Sequence, residues 1–223
     1  MTRRPPINDE DLLRLIARTR KFHEEVNAHI GALTPVREQR HLVAFQAGLL
    51  SLEHAIAAHL LIDQGLFSPA YSLMRSQYES LVRGIWLLHA ANDTWIEKLS
   101  ESLTLESAKH ANEGLMLSAM LSELEKNGDA PELIVEELKK YRDVAWKVLN
   151  SYVHGGLHPL SRTLAGYPAE LTYNVVRNSN AVVALTTQLL SILSGDPRKM
   201  EPVRRFHVEY SDCLPILSEQ GKN

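Results

Sequence analysis

The chain has 223 residues, 44% of them apolar and 23% charged, with a formal net charge of −3. That length can bury a substantial core, and that charge excludes a bulk electrostatic pull toward nucleic acid or an anionic membrane. The single cysteine, Cys213, excludes an internal disulfide and a cysteine-built zinc cage, and MTRRPPINDEDLL lacks the apolar run of a secretory signal, so a reducing cytoplasm is expected.

Helix signals follow one another along the whole chain. Asn8 is placed to cap a first helix that runs to Gly31. Thr34-Pro35 gives the cap-then-proline order of a second helix, which continues to Asp63-Gln64-Gly65. Its apolar stretch VAFQAGLLSLEHAIAAHLLI carries Gln46, Glu53, His54 and His59, which predicts a buried helix and no membrane span. Ser68-Pro69 opens a third helix ending near Asn92. A fourth, with a break near Ser102, runs from Asp93 to Asn127-Gly128. Pro131 lies in the first turn of a fifth that stops at Gly155-Gly156, and residues 157–168 read as a loop around Pro159, Gly166 and Pro168. A sixth spans Ala169 to Ser194, and Asp196-Pro197 starts a short seventh interrupted by Pro202. No segment alternates with the period of a strand. The expectation is an all-α, single-domain antiparallel bundle of six to seven helices, with a core over about 34–195 and the terminal helices packed on it.

Two of these helices show two faces. On the third, Met74, Tyr78, Leu81, Ile85 and Leu88 form one stripe, while Arg75, Glu79 and Arg83 stack at i, i+4 and i+8 behind it. Trp86 also projects to the rear, and an indole is usually mostly buried, so this ladder is expected to line a half-buried polar groove. On the fifth, Ile134, Leu138, Tyr141, Ala145, Val148 and Tyr152 form the seam, with Asn150, His154 and Trp146 behind. If the rear faces meet, Arg75, Glu79, Asn150 and His154 converge. His154 would then act as general acid or base, Arg75 would stabilise anionic charge, and Glu79 would orient either partner. Asn150, Trp86, Trp146, Arg83 and Tyr78 complete the candidate set as binding residues. The plain alternative is a solvated ion-pair ladder, a cation at a helix end and a glycine stop.

Other chemistries lack their residues. Glu106 and His110 stand at spacing four rather than the three of a di-metal bundle, and no second copy exists, so no metal ligands and no cofactor are expected. No glycine-rich loop follows a strand, and no nucleophile elbow occurs. Basic residues gather at the two ends (Arg3, Arg4, Arg14, Arg18, Arg20 and Lys21, then Arg198, Lys199, Arg204 and Arg205), which reads as ordinary surface charge ahead of a nucleic-acid face.

FSPAYSLMRSQYESLVRGIWLL, with its Arg-x-x-x-Glu pattern, and LNSYVHGG, with its Ser-x-x-His-Gly helix end, resemble a group of uncharacterised bacterial all-α proteins. That group in turn resembles the HEPN superfamily, helical domains found in toxin–antitoxin and phage-defence systems, many of them RNases. The likeness covers about 40–195. It implies a HEPN-like core, a homodimer, and RNA, nucleotide or a cognate antitoxin-like protein as partner. His154 matches the HEPN histidine. The arginine that precedes it in HEPN RNases is missing: Leu149 stands at the nearest position, and Arg142 is too far upstream. The resemblance therefore leaves two outcomes, cleavage of RNA or binding without cleavage. A helical interaction module, or a ligand-binding bundle with Trp86 and Trp146 lining one pocket, are the alternatives.

Overall fold

The computed structural model describes residues 6–102, 104–105, 114–127 and 129–215. Among them every regular element is a helix, with no strand, and nine α-helices can be bounded. These are α1 (Asp9–Gly31), α2 (Gln39–Asp63), α3 (Phe67–His89), α4 (Asp93–Ser100), α5 (Leu117–Lys126), α6 (Glu132–Val153), α7 (Leu157–Ala165), α8 (Ala169–Leu193) and α9 (Met200–Glu209). The count exceeds the expected six or seven for two reasons. The fourth predicted helix gives two bounded helices among the described residues, α4 and α5. The segment read as a loop at 157–168 contains α7, because Pro159 is its third residue, where the missing N–H has no helical partner to lose.

Local signals set most of the ends. Asn8 and Asp11 form a reciprocal capping box at 3.0 and 3.2 Å. Gly65, Gly155 and Gly195 follow α2, α6 and α8 with φ of 72°, 61° and 69°, the left-handed stop that glycine adopts without strain. Two predicted starts move. α2 begins at Gln39, since the chain before it is tied to the end of α8 by Val36 N–H donating to the Leu193 carbonyl at 2.9 Å. Pro202 falls in the first turn of α9 and does not interrupt it.

α3 is the central helix. It packs most extensively on α2 and is flanked by α5, α6 and α8. Tyr71, Tyr78, Leu81, Trp86 and Leu87 are all buried, so apolar residues lie on nearly every side of it rather than on one stripe. A polar layer ties it to its neighbours: Ser51 donates to the Gln77 carbonyl at 2.9 Å, and Gln77 Nε2 donates to the Ser179 carbonyl at 2.9 Å. α1 and α9 pack on α8. α2 is long and apolar enough to cross a membrane by length and composition, and half of its most apolar window is buried inside the fold.

The close approach of α2, α3 and α8 needs Gly84. A β-carbon there would lie 2.9 Å from Leu189 Cδ2 and 3.2 Å from the Ala44 carbonyl oxygen, and the backbone oxygen cannot turn aside. Gly84→Ala is expected to cost about 1–3 kcal/mol by urea unfolding. Gly48→Ala should cost less, because the added carbon meets only the flexible Leu190 side chain, at 2.7 Å, and alanine favours the helix.

Candidate functional site

α6 runs antiparallel to α3, as the contacts along the pair show. The Tyr78 hydroxyl donates to the Leu138 carbonyl at 2.6 Å, and its ring stacks on Tyr141 at 4.5 Å. One turn earlier on α3, the Arg75 guanidinium lies over the Trp146 ring, 4.7 Å from its centroid. At the start of α3, Tyr71 meets Tyr152 edge-on at 5.0 Å. The Arg75–Trp146 pair therefore sits midway along a tight aromatic seam.

Charge among the described side chains of the ladder does not balance. Arg75 and Arg83 both approach the one carboxylate of Glu79, at 3.6 and 3.7 Å. Both distances exceed a charge-assisted hydrogen bond, so these are loose ion pairs. The three side chains are 25%, 25% and 29% exposed, within reach of solvent yet partly shielded from it. Among the described residues, two guanidiniums share this one carboxylate, an excess of one positive charge within the trio. Arg75 Nε and Asn150 Oδ1 are buried without a hydrogen-bond partner among the described residues, and Asn150 stands one turn beyond Trp146 on α6. A partly exposed pair of guanidiniums beside the edge of an aromatic ring suits an anionic ligand that carries a flat ring.

The expected convergence is only partial. The structure joins Arg75, Glu79 and Arg83 on α3 to Trp146 on α6, but it does not bring His154 to them. His154 is the exposed C-cap of α6, its N–H bonded to the Asn150 carbonyl at 3.1 Å. It lies two turns beyond Trp146, about 12 Å along the helix axis, while Glu79 lies one turn the other way. Within one chain the antiparallel register of the two helices therefore holds His154 and Glu79 apart. The Gly-Gly pair is explained by folding alone. Gly155 supplies the left-handed stop, and a β-carbon on Gly156 would lie 2.7 Å from Ser151 Oγ, which accepts the His158 N–H at the start of α7.

Two binding candidates are structural. Tyr78 is fully buried, and burial pushes its hydroxyl above the ordinary tyrosine range, so it remains a donor to α6. Trp86 is also fully buried; its indole N–H donates to a Glu123 carboxylate oxygen at 2.6 Å, and its ring meets Trp95 edge-on at 5.8 Å. It faces α4 and α5, so Trp86 and Trp146 do not line a common pocket. An open polar cleft of about 450 Å³ lies near this end of α3, bordered by Ala90, Asn92, Glu123, Lys126 and Asn127.

The remaining candidates resolve simply. Among the described residues no three His, Cys, Asp or Glu side chains gather as metal ligands, and Glu106 and His110 lie outside those residues. Arg3 and Arg4 lie outside them too. Much of the basic charge at the two ends is paired: Arg18 with Asp212, Arg20 with Asp63, Arg198 with Asp196, and Arg205 with Glu25. Sequence reading missed one polar cluster, His23, His59 and Asn180, which three different helices bring together in the core. Only the apolar company of each residue along its helix hinted at burial.

A family profile matches residues 48–216, most of the chain. The chain belongs to DUF6988, a family of unknown function. No curated protein and no solved structure matches it. The DUF6988 span includes the whole of α3, α6 and α8, and with them every residue of the Arg75–Trp146 seam. It leaves out α1 and the start of α2.

Proposed function

We propose that this protein binds RNA or a nucleotide through the seam between α3 and α6 and does not cleave it. The observation that carries the reading is the Arg75 guanidinium stacked on Trp146 while sharing Glu79 with Arg83. Arg75 and Arg83 meet phosphate oxygens, and the Trp146 edge meets a base. Binding is favoured over cleavage because His154 stands apart from every cation of the seam and has no arginine one turn upstream. The resemblance of the Arg75–Glu79 and Asn150–His154 segments to a group of all-α proteins that in turn resembles the HEPN superfamily supports a HEPN-like core, a homodimer and a role in a toxin–antitoxin or phage-defence setting.

The test is anisotropy of a labelled single-stranded RNA titrated with the protein at several salt concentrations. Saturable binding is expected, with log K falling against log salt at a slope of about −1.4 for two phosphate contacts. His154→Ala should bind equally well, and bulk RNA incubated with either protein should stay intact. Metal-independent cleavage that His154→Ala abolishes would reverse the reading in favour of an RNase.

A second reading, a protein-interaction module, is favoured by α7. Leu157, Leu160 and Leu164 are 79%, 67% and 96% exposed and recur at i, i+3 and i+7, an apolar face left to solvent. With a second copy of the chain as the occupant, Leu160→Glu with Leu164→Glu is expected to convert a dimer to a monomer by light scattering. An unchanged mass would remove α7 from any dimer contact.

A further inference from the structure

The layer between α1, α2 and α8 has a chemistry that the seam does not use. His23 on α1 is buried, 8% exposed, and its Nε2 lies 3.2 Å from Asn180 Oδ1 on α8. The Asn180 amide nitrogen donates to Thr19 Oγ1 at 2.8 Å and to the Cys213 carbonyl at 3.2 Å, so Oδ1 is an acceptor and His23 Nε2 is the donor. The His23 ring meets the ring of His59 on α2 at 5.3 Å, and His59 Nε2 is buried without a partner among the described residues. Two imidazoles thus meet with no hydrogen bond from either to a carboxylate among the described residues; Asp63, one turn beyond His59, favours a proton on His59, and Arg20 opposes it.

The charged groups around this pair come from every neighbouring element. Asp63 on α2 is held by Arg20 of α1 at 2.6 Å. At the far end of α1, His29 Nε2 lies 2.9 Å from Ser191 Oγ on α8, with Lys199 and Arg205 as its charged neighbours. At the C-terminal end, Arg18 holds Asp212 at 3.1 Å and donates to the Glu209 carbonyl at 2.7 Å, while the Tyr210 hydroxyl donates to Glu25 at 2.6 Å. Burial pushes the Cys213 thiol up to about 12, so it stays neutral. α1 therefore clamps the segment 209–213 against α8 and closes over the histidine pair at once.

We infer that α1 is an acid-releasable strap: protonation of His23 opposes its seat between His59 and Asn180, and undocks α1 together with the C-terminal segment it holds, baring the Asn180 face of α8. Burial and the adjacent His59 lower the His23 pKa from 6.5 to about 3 when α1 is docked. The docked state then holds fewer protons than the open one. Its advantage is complete above about pH 6.5 and is lost as pH falls toward 3. His29 and His59, both lowered chiefly by burial, act in the same direction. Between pH 7 and 5 docking should weaken on the order of 20-fold through His23 alone. α1 lies outside the DUF6988 span, so release would uncover the part that the family model defines.

Residue-resolved hydrogen exchange on the full chain, corrected for intrinsic chemistry, tests this at pH 7 and pH 5. Protection of α1 amides should drop at least on the order of 20-fold relative to those of α3, and His23→Gln, which keeps a donor for Asn180, should remove most of that drop and leave only the share of His29 and His59. A constant ratio in the wild type, or an equal drop in H23Q, overturns the inference. Should H23Q not fold, the titration of the His23 ring in the wild type decides: it must follow the loss of α1 protection, and a ring that takes up its proton while α1 stays protected overturns the inference.

Discussion

Trp86→Ala is expected to destabilise the fold by about 3–5 kcal/mol, the largest loss from any single side chain considered for the site. The indole is fully buried where α3 meets α5, with Trp95 of α4 against its ring, so its removal opens a cavity. It also strips the half-buried Glu123 carboxylate of its 2.6 Å donor. Trp86→Phe separates the two effects. It keeps most of the apolar contact and loses only the N–H, which should cost about 1–3 kcal/mol. Urea unfolding followed by far-ultraviolet circular dichroism measures both. A loss below about 1 kcal/mol for the alanine variant would mean that α5 and the Trp95 ring do not pack on Trp86 as described.

The second large effect concerns affinity and carries opposite signs on neighbouring side chains. Arg75→Ala should weaken RNA binding about 10- to 100-fold, the worth of a charge-assisted contact made in a partly shielded site. Arg83→Ala should act in the same direction. Glu79→Gln should tighten binding several-fold, because both guanidiniums are then released from their shared counter-ion. A purely structural ladder would behave otherwise: all three substitutions would lower stability by a few tenths of a kcal/mol and leave RNA binding alone. Equilibrium titration at fixed salt reads the three variants, and an unchanged or weakened E79Q would count against an anion site.

Residues with a local cause were the ones legible in the sequence. Gly65, Gly155 and Gly195 announce helix ends through a conformation that only glycine adopts freely, and the structure has positive φ at all three. The Arg75–Glu79–Arg83 ladder follows from helical spacing alone, and its half-burial follows from the bulky neighbours on its face. The misreadings have physical reasons too. Proline in a first turn looks like a breaker, which hid α7 behind Pro159 and shifted the expected boundary at Pro202. A two-faced wheel assumes one core side, yet α3 is enclosed by four helices, so Trp86 on its supposed rear is as buried as Tyr78 on its front. His154 failed as a partner of Glu79 because periodicity fixes which side a residue takes, not how far along the partner helix it stands. The His23–Asn180 bond joins residues 157 positions apart, and no local pattern encodes such a contact.

The chain has three tryptophans, which makes the seam directly observable. In a nitrogen-15 correlation spectrum, each indole N–H gives one signal, assigned by single Trp→Phe variants. On titration with a short single-stranded RNA, the Trp146 signal should move progressively and saturate, while that of Trp86, sealed against Glu123, stays in place. Saturation with Trp146 unmoved, or no response from any indole, would contradict binding at the α3–α6 seam.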